Sequence, residues 1–405
     1  MTERKLPISQ LELVSLLAML SATVAFSLDA MLPALPQIGE ALSPDAPNRA
    51  QLVVGSFVLG LGLGTFFTGA LSDAYGRRSV AVVGALLYCV AALVAAFSPN
   101  LETLLLARFI QGLGAAGPRV TAMAIARDMF SGRRMAQVLS YVIFVFTLTP
   151  IFAPTLGYAI ALVFGWRGIF ASFAVFSFIS VAWLLIRLPE TLQAENVRPF
   201  RAKKLWEGTK EVLGNRRVVL ATLVQTLIFG TLFSSLASSQ QVFGEVFDKA
   251  ESFPLWFGLM ALLASASNLI NARIVLRLGM REVVRRVLLI QGGFTCLYLI
   301  LQVADAIPEA AAFPLAFIWL TSIFYVAGFG IGNMNALALE PLGHMAGLAA
   351  SITTAFATIG AGLLTVPIGL AFNGTVLPLT VGIFVLVALA LFFLRFIDAD
   401  APAPA

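Results

Sequence analysis

Three charged residues lie inside long apolar stretches of the sequence, where a charge is costly and therefore points to function. Asp29 is the only acid deep in the first of these stretches. Burial raises the pKa of a carboxyl group because it disfavours the charged form, and a nearby cation lowers the pKa again. A carboxyl group that is subject to both effects can exchange a proton. A structural cap near a kink at Pro33 and Pro36 is the alternative. We expect Asp29 to exchange a proton for a ligand.

Arg108 and Arg119 share the fourth apolar stretch, and each needs carboxylates, carbonyls, water or anionic ligands as partners. A helix rises about 1.5 Å per residue, so these two arginines lie roughly 16 Å apart along its axis and cannot serve one small site. Arg108 is nearer the same membrane surface as Asp29, and we predict that it takes part in proton coupling. Arg119 binds an acidic group of a substrate or stabilises the domain, and both roles stay open.

Polar amides in the apolar stretches form a second group of candidates: Gln111, Gln225, Asn268, Asn271, Asn333 and Asn335. Amides provide hydrogen-bond donors and acceptors without a fixed charge, which suits varied polar ligands. We predict a substrate cavity that includes Gln111, Arg119, Gln225, Asn268 and Asn335. Structural hydrogen bonds between helices are the alternative interpretation.

The sequence lacks the residues that catalytic sites and metal sites usually contain. Cys89 and Cys296 lie far apart in separate apolar stretches, which predicts two buried thiols and no disulfide. His344 is the only histidine, so neither a zinc site with several histidines nor a catalytic triad with its usual base is expected. No phosphate loop of the form Gly-x-x-x-x-Gly-Lys-Ser/Thr occurs, which leaves ion gradients as the energy source. We predict a protein without a metal site or a cofactor.

The elements that position these residues are membrane-spanning helices. The chain has 405 residues, of which 59% are hydrophobic and only 12% charged, against roughly 25% charged in a soluble domain. Its mean hydropathy is +0.93. Apolar windows long enough to span a bilayer lie at 11–36, 51–72, 80–98, 102–126, 136–164, 168–188, 218–242, 254–276, 287–304, 311–338, 346–372 and 376–396. We predict an all-α polytopic membrane protein with twelve transmembrane helices, and the first one is too long to be a cleaved signal peptide.

The distribution of basic residues orients these spans. Of the 26 Lys and Arg residues, only Arg49, Arg167 and Lys249 fall in loops on the extracytoplasmic side when the amino terminus is cytoplasmic. The positive-inside rule therefore predicts that both termini are cytoplasmic. Because topology explains the net positive charge, nucleic acid is not an expected partner.

The chain divides into two halves of six spans each. We predict an N-terminal bundle at 1–188, a cytoplasmic linker at 189–217, and a C-terminal bundle with a short cytoplasmic tail at 218–405. Part of the linker is either an amphipathic helix on the membrane surface or a solvated segment. The segment 69–78 has a degenerate second copy at 272–281, in which Gly76 and Gly279 correspond. Tandem six-helix halves of this kind are typical of secondary transporters.

The better copy reads Gly69-x-x-x-Asp73-x-x-Gly76-Arg77-Arg78 and lies between spans two and three. Gly76 permits a tight turn, and Asp73 at a helix end can pair with a neighbouring arginine or with a helix N-terminus. Such an ionic latch would hold the two halves in one access state and release them in the other. A generic basic loop is the alternative.

This motif is similar to the signature of the major facilitator superfamily, and the chain resembles its drug:proton antiporters of the bicyclomycin and chloramphenicol resistance (Bcr/CflA) type over essentially its whole length. Asp29-x-x-Leu32-Pro33-x-Leu35-Pro36 looks like the signature of that subfamily in helix one, and Arg108-x-x-Gln111-Gly112 matches its pattern in helix four. Ala74 stands where the family usually has a basic residue, so one latch contact is expected to be missing.

Span five carries Pro150, Pro154 and Gly157, which resemble the Gly-Pro-x-x-Gly signature of antiporters. In that signature, missing backbone hydrogen bonds bend the helix and small residues let it pack closely. Ala153 replaces the first glycine and Tyr158 the last. The match favours export by antiport.

The resemblance implies two pseudo-symmetric six-helix bundles in a bacterial cytoplasmic (inner) membrane. It implies a proton-coupled exporter of drugs or small amphipathic metabolites that works as a monomer by alternating access and contacts substrate, protons and lipids. An exporter or uptake symporter for one metabolite, anionic because of Arg119, is the first alternative. A membrane-embedded enzyme or a non-transporting sensor is the second, and the lack of catalytic clusters disfavours it.

Overall fold

The computed structural model describes residues 8–397, and within that range all regular secondary structure is helical. The α-helices are α1 (Gln10–Asp29), α2 (Leu35–Leu42), α3 (Leu52–Tyr75), α4 (Arg77–Ala96), α5 (Leu101–Met129), α6 (Gly132–Arg187), α7 (Ala202–Gly214), α8 (Arg216–Gln241), α9 (Phe253–Leu278), α10 (Met280–Val303), α11 (Glu309–Leu339), α12 (Ala346–Leu370) and α13 (Leu377–Leu394). The predicted all-α class is confirmed. Both chain ends, residues 1–7 and 398–405, lie outside the described residues and include the predicted C-terminal tail.

The long helices supply the twelve predicted spans. In the described range, nine segments are long and apolar enough to cross a membrane. Two of these segments hold two spans each: α6 is broken at Gly165, which has a φ of +66°, and α11 joins α12 through a short turn at Glu340–Met345. The twelfth span is α5, whose apolar character is diluted by Arg108 and Arg119.

The described residues form two compact units. Unit 1 comprises the chain up to Asp45 together with Ser56–Leu205, and unit 2 comprises Ala46–Gly55 together with the chain from Trp206 onward. Six spans belong mainly to each unit. The segment Ala46–Gly55 includes the first four residues of α3 and belongs to unit 2, while the rest of α3 belongs to unit 1.

The first helix is shorter than the predicted span because α1 ends at Asp29 rather than near residue 36. Pro33 lies at the start of a 3-10 turn, Leu32–Ala34, and Pro36 lies in the first turn of α2. Proline suits these positions because its missing N–H would have no partner in the first turn of a helix. The two prolines therefore start new helices, and Asp29 is the last residue of α1.

Glycines bring α5 against its neighbours in unit 1. A Cβ atom on Gly114 would lie 2.6 Å from the backbone nitrogen of Tyr88 in α4, and one on Gly112 would lie 2.9 Å from the backbone carbonyl carbon of Phe57 in α3. Larger side chains cannot fit at either position without moving a helix. This close packing places Arg108 beside both neighbouring helices.

The internal repeat is visible in the backbone. Gly76 precedes α4 with φ +95° and ψ 153°, and Gly279 precedes α10 with φ +80° and ψ 156°. Both conformations are rare for residues that carry a Cβ atom. The two glycines therefore make the same sharp turn at corresponding positions of the two units.

Candidate functional site

Arg108 is the central side chain of a buried polar cluster in unit 1. It is 0% exposed. Its Nη1 donates to Oε1 of Gln111 over 2.6 Å, and its Nη2 donates to the backbone carbonyl of Ser27 over 3.1 Å. The guanidinium lies 4.3 Å from the ring centroid of Phe57. Arg108 thus joins α5 to the last turn of α1.

Two members of this cluster were not among the predicted site residues. Ser27 donates its hydroxyl hydrogen to the carbonyl of Thr23 over 2.7 Å, and its hydroxyl also contacts the hydroxyl of Tyr88 in α4. Both side chains are fully buried. Their signal in the sequence is weak, because a single serine or tyrosine in an apolar helix is common.

Asp29 lies two residues beyond the carbonyl that Arg108 binds. Its side chain is 3% exposed, and no ion pair or hydrogen bond joins its carboxyl group to any other described residue. The structure therefore places Asp29 and Arg108 at the same end of α1 without pairing their charges directly. Gln111 adds an Nε2 donor that has no acceptor among the described residues. The cluster therefore keeps one unused donor on α5, in contact with the arginine that binds the last turn of α1.

Arg119 lies three turns further along α5 than Arg108 and is half-buried. Among the described residues, none forms a hydrogen bond or an ion pair with it. The two arginines lie on the same helix. Its role stays a prediction.

The first half of α6 packs against the end of α1. Pro150 and Pro154 lie inside this helix. A Cβ atom on Gly157 would overlap the backbone carbonyl oxygen of Ala30 and lie 2.6 Å from its carbonyl carbon. Gly157 is therefore required for close contact with the residue that follows Asp29. Of the antiporter-like residues of span five, Gly157 lies beside the predicted proton site.

A cavity of about 770 Å³ lies in unit 1 between α1 and the first half of α6. It extends from Gln10 at the start of α1 to Phe26, one turn before Asp29. Its polar lining consists of uncharged side chains, and its apolar lining includes several aromatic rings. The lining residues are Gln10, Leu11, Val14, Ser15, Ala18, Met19, Ala22, Phe26, Gln137, Tyr141, Phe144, Val145, Thr149, Phe152, Ala153, Leu156 and Phe176.

The five residues predicted for a substrate cavity do not line this one. Gln111 and Arg119 lie elsewhere in unit 1, and Gln225, Asn268 and Asn335 belong to unit 2. The signal that could have found the observed cavity is a row of small and polar residues on one face of α1, such as Ser15, Ala18 and Ala22.

The predicted amides of unit 2 lie on three neighbouring helices. Asn333 of α11 donates to Oδ1 of Asn271 in α9 over 2.9 Å. This bond is a structural hydrogen bond between helices, which is the alternative interpretation for the amides. Gln225 is 1% exposed, and its Oε1 and the Oδ1 of Asn335 have no donor among the described residues. Asn268 is exposed. Gln225 and Asn335 therefore hold polar atoms that a ligand or water could use.

A second amide cluster in unit 2 was not predicted. Asn48 donates to the carbonyl of Phe372 over 2.6 Å, and Gln241 donates to Oδ1 of Asn48 over 3.0 Å. Gln51 contacts Gln241 and accepts a hydrogen bond from Ser238 over 3.2 Å. These bonds explain why the segment Ala46–Gly55 packs with unit 2.

The motif 69–78 forms an ionic cluster inside unit 1. Arg77 contacts Asp73 through Nη1 and donates from Nε to Oδ2 of Asp128 over 3.0 Å. Asp128 also accepts the hydroxyl hydrogen of Thr191 over 3.2 Å. Asp128, near the end of α5, is a member that the motif alone does not reveal.

Glu190 completes this cluster from the segment that follows α6. Its Oε1 accepts the backbone N–H of Arg77 over 2.9 Å, and its Oε2 accepts that of Arg78 over 3.1 Å. A Cβ atom on Gly76 would collide with the Glu190 carboxylate. Glu190 therefore caps the start of α4, where backbone N–H groups lack partners within the helix and the dipole favours negative charge.

Comparison with known proteins agrees with this architecture. Residues 16–365 match the family model of the Major Facilitator Superfamily. The chain belongs to the Major Facilitator Superfamily. A member of this superfamily is a multi-pass membrane transporter and not an enzyme.

Two relatives show the subfamily likeness. The chain is 30% identical over 377 residues to the multidrug resistance protein MdtL of Shewanella oneidensis, covering 90% of this chain and 91% of MdtL. It is 28% identical over 346 residues to a bicyclomycin resistance protein homolog of Haemophilus influenzae, covering 83% of each chain. The predicted resemblance to Bcr/CflA-type members is confirmed.

A solved structure shows the fold alone. The crystal structure of a D-xylose-proton symporter matches with a TM-score of 0.75 and 16% identity, covering 96% of this chain and 98% of that chain. The predicted superfamily fold with twelve helices is confirmed.

Proposed function

We propose that this superfamily member is a proton-coupled efflux transporter that exports drugs or small amphipathic metabolites by alternating access. The observation that carries the proposal is the position of Asp29. Its carboxyl group is buried without an ion pair, one helical turn from a cavity large enough for a drug-sized ligand. An acid in that position can exchange a proton when a ligand enters the cavity.

The cavity indicates which substrates fit. Aromatic rings such as Phe26, Phe144 and Phe152 offer apolar contact, while Gln10 and Gln137 offer hydrogen bonds near the start of α1. Since none of its lining residues is charged, it suits neutral or weakly polar amphipathic molecules. The names of the relatives, which refer to bicyclomycin and to multidrug resistance, agree with that class.

We assign Arg108 to proton coupling because it binds the carbonyl of Ser27 close to Asp29 and fixes the end of α1. We assign the cluster of Gly69, Asp73, Gly76, Arg77 and Arg78 to a conformational latch. The proton gradient is the proposed energy source, without a cofactor, and the proposed active form is a monomer in the inner membrane with both termini cytoplasmic.

The test measures proton release when bicyclomycin is added to purified, detergent-solubilised protein. The native chain is expected to release protons on binding, and Asp29→Asn is expected to release none. Asp45→Asn is the matched control, because Asp45 is exposed. Equal release from native protein and Asp29→Asn would remove Asp29 from the mechanism. Binding without any release would favour a uniporter or a different coupling ion.

The second candidate is a metabolite exporter or uptake symporter for an anionic compound. Arg119 favours it, because a half-buried arginine in a span without a protein partner is suited to an acidic ligand. Flux direction in proteoliposomes under an imposed pH gradient separates the candidates. Inward flux of an organic acid driven by inward proton flow, and lost in Arg119→Gln, would support the symporter.

A further inference from the structure

The helix α7 lies in sequence between the two six-span sets, and one of its faces is docked on the start of α12. Gly208, Thr209 and Val212 are buried. A Cβ atom on Gly208 would lie 2.6 Å from a terminal methyl group of Leu348 and 3.2 Å from Cε of Met345. Leu348 is in the first turn of the spanning helix α12. The docked face therefore holds α7 at the level where α12 enters the membrane.

A second face of α7 combines large apolar and basic side chains. Lys203, Trp206, Lys210 and Leu213 are spaced by three, four and three residues, which places them on one side of a helix. Trp206 is 60% exposed and Leu213 is 53% exposed. The Nζ atom of Lys210 lies 5.5 Å from the ring centroid of Trp206. This combination forms a basic–aromatic face beside the docked face.

The remaining surface of α7 carries both acids of the helix. Glu207 and Glu211 are exposed, and Glu211 contacts Nε2 of His344 over 2.8 Å. Lys204 is exposed on the same side. The surface of α7 thus has the docked face, the basic–aromatic face and a mixed-charge sector that is suited to contact with water.

We propose that the basic–aromatic face lies on the membrane surface and binds anionic phospholipid. In this arrangement Trp206 and Leu213 insert at the headgroup level, where tryptophan is favoured, and Lys203 and Lys210 contact lipid phosphates. Charge complementarity selects this occupant, because the negative surface of an anionic leaflet attracts nearby basic residues. The docked face supplies the second reason, since it holds α7 beside the entry point of a span. Interfacial helices share this division into apolar and basic parts.

The test follows the fluorescence of Trp206 in the full chain reconstituted into vesicles. The chain has five tryptophans, so the difference between native protein and Trp206→Phe isolates the signal of Trp206. Vesicles contain phosphatidylcholine alone or a mixture with phosphatidylglycerol, with brominated acyl chains as the quencher from the membrane side. Iodide is the quencher from the water side.

In vesicles with phosphatidylglycerol, brominated chains are expected to quench Trp206 and iodide is expected to reach it poorly. Lys210→Gln is expected to weaken the bromine quenching about twofold, because one lysine–phosphate attraction is lost. The matched control Lys204→Gln removes a lysine from the mixed-charge sector and should leave the quenching unchanged.

Four results would overturn the proposal. Strong iodide quenching without bromine quenching would show that α7 is solvated. Protection from both quenchers would show that protein covers this face. Equal effects of Lys210→Gln and Lys204→Gln, or equal quenching in the two vesicle types, would refute the assignment to anionic phosphate.

Discussion

Replacing Glu190 by glutamine tests whether a residue outside the recognised motif holds the 69–78 cluster together. The Glu190 carboxylate accepts four backbone N–H groups, those of Arg77, Arg78, Thr191 and Leu192, at 2.9, 3.1, 2.9 and 2.9 Å. Glutamine has almost the same shape but one acceptor oxygen. When that oxygen takes the place of Oε1, the amide nitrogen faces the N–H of Arg78, and two donors oppose each other.

The size of the effect follows from these contacts. Losing one hydrogen bond to a charged group costs about 1.5–3 kcal/mol, and losing the negative charge at the start of α4 costs about 0.3–1 kcal/mol more. Glu190 is half-buried, so the lower ends of these ranges apply. We therefore expect Glu190→Gln to reduce the free energy of unfolding by about 2 kcal/mol. For a unit of this size, that loss lowers the unfolding midpoint by roughly 4–8 °C.

The assay is thermal unfolding of purified protein in detergent, with Glu195→Gln as the matched control. Glu195 is exposed on the short helix Ala194–Asn196 of the same segment. Hydrogen exchange at the first residues of α4 provides a local readout, and faster exchange is expected only in Glu190→Gln. Equal midpoints and equal exchange in the two variants would refute the capping role of Glu190.

Four further substitutions test the packing and the polar clusters. Gly157→Ala forces a Cβ atom onto the backbone of Ala30, so we expect a loss of about 1–3 kcal/mol in unfolding free energy, measured by thermal unfolding; an unchanged midpoint would contradict the close contact. Arg108→Lys keeps the charge but cannot reproduce a planar group with two directed bonds, so we expect weaker stability and slower proton-driven transport in proteoliposomes; full transport would show that charge alone suffices. Gln51→Ala and Gln241→Ala should show a coupling of about 1 kcal/mol in a double-mutant cycle of unfolding, and additive losses would contradict their bond.

The helix pattern was predictable because it depends on local composition. The predicted windows 254–276 and 311–338 differ by only one or two residues at each end from α9 and α11, since the bilayer requires about 20 apolar residues per span. The window that holds Pro33 and Pro36 was less accurate. The predicted span runs to residue 36, whereas α1 ends at Asp29 and the two prolines begin new helices, because hydropathy alone does not distinguish a helix end from a bend. The predicted boundary between 136–164 and 168–188 agrees with the break at Gly165.

The residues of the polar clusters were only partly predictable. Arg77 and Arg108 stand out because charge near or inside an apolar stretch is costly. Glu190 and Asp128 are acids beside span ends, where charges are common, so nothing in the sequence links them to Arg77. Gln51 and Gln241 are 190 positions apart, and only the folded chain brings their amides together.

The sequence by itself determined the class of protein, the spans, the repeat and the superfamily, because each depends on local hydropathy or on a short motif. Tertiary structure decided which polar atoms meet. It placed Arg108 on the carbonyl of Ser27 rather than on the Asp29 carboxylate, and it set Glu190 over the start of α4. It also placed the cavity of unit 1 between α1 and α6, away from the predicted amides. These outcomes depend on the approach of helix backbones and on side-chain direction, which no local pattern specifies.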